Sequence, residues 1–87
     1  MTVPSASNPI RVAALYRFAA IADCEQVRDR LDSLCRPDVR GTLLVAHEGL
    51  NGTIAGPEAA VGRVLAGIRA LPGFADLDVK YAQAATM

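Results

Sequence analysis

The chain has 87 residues, enough for a single domain, and contains 52% hydrophobic residues. Nine basic and nine acidic residues give a formal net charge of zero, which argues against a domain that binds nucleic acid through a strong electrostatic field of its own. No apolar run is long enough to span a membrane, and the N-terminus lacks the basic-then-apolar pattern of a secretory signal. These features predict a cytoplasmic protein without a membrane segment.

Residues 10–18 alternate in polarity and predict the first strand. One of its two faces carries most of the apolar side chains: Ile10, Val12, Ala14, Tyr16 and Phe18. Because Tyr16 and Phe18 share this face with two aliphatic residues, we expect both rings to lie in the core.

Apolar residues recur at helical spacing over residues 24–35 and again over residues 57–71, which predicts two helices. Pro37 ends the first helix. Gly62 and Gly67 weaken the second by about 1 kcal/mol each relative to alanine, and we expect them to allow close packing on the sheet.

The two cysteines, Cys24 and Cys35, both fall on the apolar stripe of the first predicted helix. Eleven helical residues separate two side chains by about 16 Å along the axis, too far for a disulfide bond. Their spacing also fits no zinc-binding pattern. We therefore expect two reduced core thiols and no metal site.

The centre of the chain reads GTLLVAHEGLNGTIAG, which predicts a β-hairpin. Its strands are expected at residues 39–47 and 50–56. Glycine and asparagine tolerate the conformations of tight turns, so the tip is either Glu48-Gly49 or Asn51-Gly52. A further alternating stretch, residues 76–81, predicts the fourth strand.

The resulting order, βαββαβ, predicts an α+β ferredoxin-like (acylphosphatase-like) sandwich. A four-stranded antiparallel sheet would carry both helices on one face and leave the other face open to solvent or a partner. We expect the folded domain at residues 10–82, with residues 1–9 as a disordered arm and residues 83–87 as the start of a linker.

The hairpin turn holds the chain's only cluster of side chains suited to acid–base chemistry, His47 and Glu48. No nucleophile, third metal ligand or paired carboxylate accompanies them. From spacing alone, the more common use of such a pair, and of Asn51 nearby, is to cap a turn and to bind exposed backbone groups.

Three functions known for this fold lack their required residues. An acylphosphatase needs a glycine-rich phosphate cradle after the first strand, where this chain has RFAAIAD. An RNA-recognition sheet needs aromatic residues on its first and third strands, and the third strand here has none. A metal-transfer domain needs a CxxC loop. By elimination, the residues favour a binding or scaffolding module over a self-sufficient enzyme.

Three segments carry a family resemblance: YRFAAIAD, GTLLVAHEGLNGTIAG and DLDVKYAQAATM. Together they resemble the N-terminal domain of the rhodanese-related tRNA uridine hydroxylases, over Val12 to Met87. The resemblance implies a longer, bacterial protein in which this domain precedes a rhodanese domain with the catalytic cysteine. The activity that it implies is oxygen-dependent 5-hydroxylation of the wobble uridine of tRNA.

For this segment the resemblance implies a non-catalytic module, without a catalytic residue, cofactor or metal, that assists tRNA binding or docks the rhodanese domain. The expected partners are that rhodanese domain and the tRNA anticodon region. The residues expected to bind them lie in the hairpin turn: His47, Glu48, Gly49, Asn51 and Gly52. Further expected phosphate contacts are Arg17, Arg40 and Lys80. The alternative is a purely structural interaction or dimerisation domain that does not contact nucleic acid.

Overall fold

The computed structural model describes residues 10–84, with elements in the predicted βαββαβ order. Their bounds are β1 Ile10–Phe18, α1 Cys24–Cys35, β2 Arg40–Ala46, β3 Gly49–Gly56, α2 Glu58–Arg69 and β4 Asp78–Ala84. β4 thus continues two residues past the predicted end of the domain at residue 82. The predicted N-terminal arm, residues 1–9, and residues 85–87 of the predicted linker lie outside the described residues. Neither α1 nor α2, the helices within residues 10–84, is long and apolar enough to cross a membrane.

The four strands form one antiparallel sheet in the order β2-β3-β1-β4. α2 packs on the inner strands β1 and β3, α1 packs on β2, and the two helices contact each other. Both helices therefore cover one face of the sheet, and the predicted ferredoxin-like fold is confirmed. The uncovered side of the sheet is called the open face below.

β1 presents to the helices the face opposite to the one predicted. Ala13 and Leu15 are 0% and 3% exposed, whereas Tyr16 and Phe18 are 50% and 77% exposed. The prediction that both aromatic rings lie in the core is therefore wrong. Successive strand residues point to opposite sides, so once Ala13 and Leu15 pack beneath the helices, both rings must lie on the open face.

Arg11 and Arg17 lie at the two ends of the β1 face that also carries Ala13 and Leu15. Because of these two charged residues, the sequence suggested that this face is exposed to solvent. Both are accommodated at the rim of the core. The Arg11 guanidinium lies 4.7 Å from the centre of the Tyr81 ring and pairs with Glu58 at 2.8 Å. The Nε–H of Arg17 donates to the Gly73 carbonyl oxygen at 3.2 Å. The charges thus remain at the edge, while only the middle of this face is buried.

α2 supplies more of the core than α1. Only Leu31 of α1 is fully buried. The buried residues of α2 are Ala60, Val61, Val64, Leu65 and Ile68. A Cβ at Gly67 would lie 2.4 Å from Leu34 Cδ1, whereas a Cβ at Gly62 would meet nothing within 4 Å. The expectation that these glycines pack on the sheet is therefore wrong. The absence of a side chain at Gly67 lets Leu34 of α1 pack against α2, and Gly62 contacts no neighbouring element.

The hairpin between β2 and β3 turns at His47-Glu48, because Ala46 pairs with Gly49 across the ladder. Neither predicted tip is correct. Gly49 has φ +154°, and a Cβ there would lie 2.2 Å from the Arg17 carbonyl oxygen of β1. Gly52 has φ +152°, and its Cβ would lie 2.1 Å from the Thr42 carbonyl oxygen of β2. Both glycines are required because β3 approaches its two neighbours too closely for a side chain.

Gly49→Ala is expected to lower the free energy of unfolding by about 2 kcal/mol or more, because the new methyl group meets the β1 backbone in a conformation that disfavours L-residues. Gly62→Ala is the matched control. Its methyl group enters open space on a helix, so the free energy of unfolding is expected to rise by up to about 1 kcal/mol. Urea denaturation of both variants measures the difference. Equal effects of the two substitutions would contradict the register of β3.

Candidate functional site: the hairpin turn and the open face

The hairpin turn is held against the segment that follows β1. The Ala19 N–H donates to the Glu48 carbonyl oxygen at 3.0 Å, and the Ile21 N–H donates to the His47 carbonyl oxygen at 2.9 Å. These bonds continue the pairing of β1 with the hairpin beyond the end of the strand. The turn is therefore fixed to the sheet and to the start of α1.

The His47 side chain also holds the hairpin turn against the segment that follows β1. Its Nδ1 lies 2.9 Å from the Ile21 carbonyl oxygen, which can only accept, so Nδ1 carries a proton and donates it. The half-buried Cys24 places its Sγ 3.6 Å from the same nitrogen. In the neutral ring, Nε2 is then the acceptor. This geometry gives His47 the structural role that its spacing predicted, and gives Cys24 a partner that the sequence did not indicate.

Glu48 and Asn51 are the two members of the turn motif with exposed polar side chains that make no side-chain hydrogen bond or ion pair within residues 10–84. Glu48 projects from the tip. Asn51 lies on the open face, because it stands directly opposite Tyr16 of β1 and Leu44 of β2. Glu48 at the tip and Asn51 on β3 therefore have all their side-chain polar atoms available to a ligand.

Three large apolar side chains surround Asn51 on the open face: Tyr16, Phe18 and Leu44. The Tyr16 and Phe18 ring centres are 6.0 Å apart with planes at 73°, an edge-to-face pair. Leu44, on the edge strand β2, is 59% exposed. Sequence reasoning missed this patch because it assigned the aromatic face of β1 to the core.

The three predicted phosphate contacts do not gather around the turn. Arg17 lies on the helix side, where it binds Gly73. Arg40 is exposed on the open face at the far end of β2, about 20 Å along the strand from Ala46. Lys80 is exposed on the open face of β4, opposite Ala14. Arg40 and Lys80 thus share a face without sharing a site.

The surroundings of Cys35 keep its thiol in the protonated form. Burial raises the pKa of the Cys35 thiol, nearby Asp32 raises it further, and the positive charge of Arg63 opposes the shift. Cys35 is therefore a protonated thiol at neutral pH. Cys24 and Cys35 are both free thiols and half-buried at the edge of the core. Within residues 10–84, no three side chains among His, Cys, Asp and Glu are grouped to hold a metal ion.

The chain matches a family described as the UPF0176 acylphosphatase like domain, over residues 10–87. The chain belongs to this family. This membership confirms both the fold and the family resemblance carried by the hairpin motif.

Among the relatives of the chain are proteins named tRNA uridine(34) hydroxylase. That of Mesorhizobium japonicum is 47% identical over 88 residues and covers 100% of the chain. That of Caulobacter vibrioides is 56% identical over 78 residues, covering 88% of the chain, and that of Brucella melitensis is 42% identical over 85 residues, covering 97%. The chain spans only 28%, 25% and 28% of these three proteins. It therefore corresponds to about a quarter of the relatives that it matches.

His47→Gln is expected to lower the free energy of unfolding by about 1 kcal/mol, because it removes the bond to the Ile21 carbonyl. His47→Asn is the matched control, since its carboxamide nitrogen stands where Nδ1 stands and can still donate. Urea denaturation compares the two, and ¹⁵N chemical shifts of the wild-type ring report the proton on Nδ1. A neutral ring protonated only on Nε2 would contradict the assignment.

Proposed function

We propose that this chain is the non-catalytic N-terminal module of a tRNA uridine 5-hydroxylase and that it assists tRNA binding around the wobble position. The observation that carries the proposal is similarity over nearly the whole chain to about a quarter of proteins named tRNA uridine(34) hydroxylase. Oxygen-dependent chemistry then belongs to the rest of the protein, including a rhodanese domain with the catalytic cysteine. The setting proposed for the reaction is the bacterial cytoplasm.

The hairpin turn is better suited to binding a ligand than to catalysing a reaction. His47 uses Nδ1 to hold the Ile21 carbonyl oxygen, and within residues 10–84 no other side chain is hydrogen-bonded to its Nε2 to form a catalytic pair. Glu48 is exposed on a turn that two backbone hydrogen bonds fix in place, and Asn51 is exposed on the adjoining strand β3. A carboxamide both donates and accepts, which suits the edge of a nucleobase. A rigid turn presents these groups with little ordering cost on binding.

Docking of the rhodanese domain is the second candidate function. Leu44 favours it, because this residue is 59% exposed on the edge strand β2, where a second domain could cover it. In that case the module would stabilise the enzyme without contacting tRNA.

In the full-length hydroxylase, the double variant Glu48→Ala/Asn51→Ala is expected to lower kcat/KM for tRNA by roughly tenfold, since two hydrogen-bonding side chains are lost. Both are exposed, so the fold is expected to persist, which circular dichroism checks. Asp29→Ala, an exposed change on α1, is the control and leaves kcat/KM unchanged. A folded double variant with wild-type kcat/KM would refute the role of the turn in tRNA binding.

A further inference from the structure

We propose that Tyr16, Phe18 and Asn51 form a binding site for an unpaired uracil base of the anticodon loop. The base stacks on the Phe18 ring, which Tyr16 contacts edge-to-face, and the edge of the base is hydrogen-bonded by the Asn51 carboxamide. The inference rests on the proposed function, which supplies the RNA, and adds a second surface to the hairpin turn.

The Phe18 ring has the space that a stacked base needs. Phe18 is 77% exposed, and its partner on β3 is Gly49, which has no side chain. On the other side, the pairing of β1 with β4 ends at Tyr16 and Asp78, so no β4 residue stands opposite Phe18. The Phe18 ring therefore has no side chain directly opposite it in either β3 or β4. Planar bases stack on aromatic rings presented in this way by antiparallel sheets.

Asn51 stands where the edge of such a base would lie. It is directly opposite Tyr16, with side chains about 5 Å apart at Cβ, and diagonal to Phe18 at about 7–8 Å. A base that fills the space above Gly49 therefore brings its edge to the carboxamide. Uracil presents a donor, N3–H, beside an acceptor, O4. One carboxamide can satisfy both.

The charges of the open face favour a stacked nucleotide with few phosphate contacts. The described side chains of that face include two cations, Arg40 and Lys80, and one carboxylate, Asp78. Stacking, and not a strong positive field, would then supply the affinity, in keeping with the zero net charge of the chain.

A protein partner explains the same face less well. An apolar surface laid over Tyr16 and Leu44 would also cover Asn51, which lies between them. The buried carboxamide would then need new partners to avoid a desolvation penalty. A base edge supplies those partners.

The test uses the full-length hydroxylase and an anticodon stem-loop RNA with uridine at the wobble position. Phe18→Leu removes the ring but keeps an exposed apolar side chain, and is expected to weaken RNA binding by about fivefold or more, the usual effect of losing one base–aromatic stack. Tyr16→Leu is expected to act likewise, and Tyr16→Phe to retain wild-type affinity. Leu44→Ala is the matched control on the same face and is expected to leave RNA affinity unchanged. Fluorescence anisotropy measures each dissociation constant.

A double-mutant cycle that combines the Phe18→Leu variant with modified RNA isolates the stacking contact. Replacing the loop uridines by abasic sites is expected to weaken binding to the wild-type protein and to abolish the effect of Phe18→Leu, since the two changes remove the same contact. Additive effects would overturn the inference. So would wild-type RNA affinity in the Phe18→Leu and Tyr16→Leu variants.

Crosslinking separates this inference from the function on which it rests. With 4-thiouridine in the loop, ultraviolet crosslinks are expected on the peptide that contains Tyr16 and Phe18. Crosslinks confined to His47 and Glu48 would overturn the stacking site but leave the proposed function standing. No crosslink within residues 10–84, together with unchanged affinities, would overturn both. Loss of thermal stability in both Phe18→Leu and Leu44→Ala, with RNA affinity unchanged, would overturn the site in favour of domain docking.

Discussion

The register of β1 is the constraint on which the rest of the domain depends. β1 is hydrogen-bonded on both sides, to β3 and to β4, so it cannot shift without breaking two ladders. That register buries Ala13 and Leu15 beneath the helices. It also leaves Tyr16 and Phe18 on the open face, because alternate residues of a strand face opposite ways. The composition of the open face follows from the packing of the core.

The hairpin motif combines two kinds of residue. Gly49 and Gly52 build the site, because β3 meets its neighbours too closely for a side chain at either position. Leu50, between them, is 3% exposed and belongs to the core. Glu48 and Asn51 remain exposed. The sequence motif resembles a binding loop, but most of these residues are needed for packing. Glu48 and Asn51 are the two side chains left to recognise a ligand.

Much of the fold was predictable because its signals are local. Helical periodicity and Pro37 gave the bounds of α1, and strand alternation gave those of β1. The buried face of β1 was not predictable in this way, because both faces carry apolar residues and the choice depends on where α2 packs. The turn was misplaced because the pairing of Ala46 with Gly49 is set by the whole ladder. The contact between Cys24 and His47 joins residues far apart in the chain, and no local pattern reports it.

The placement of the β1 rings is tested most directly by NMR of the 87-residue chain with a soluble paramagnetic probe. Our account predicts strong relaxation enhancement for the ring protons of Tyr16 and Phe18, and weak enhancement for the methyl groups of Leu15 and Ile54, which are 3% and 1% exposed. Protected aromatic rings together with exposed Leu15 methyl groups would place the helices on the other face of β1 and contradict the account.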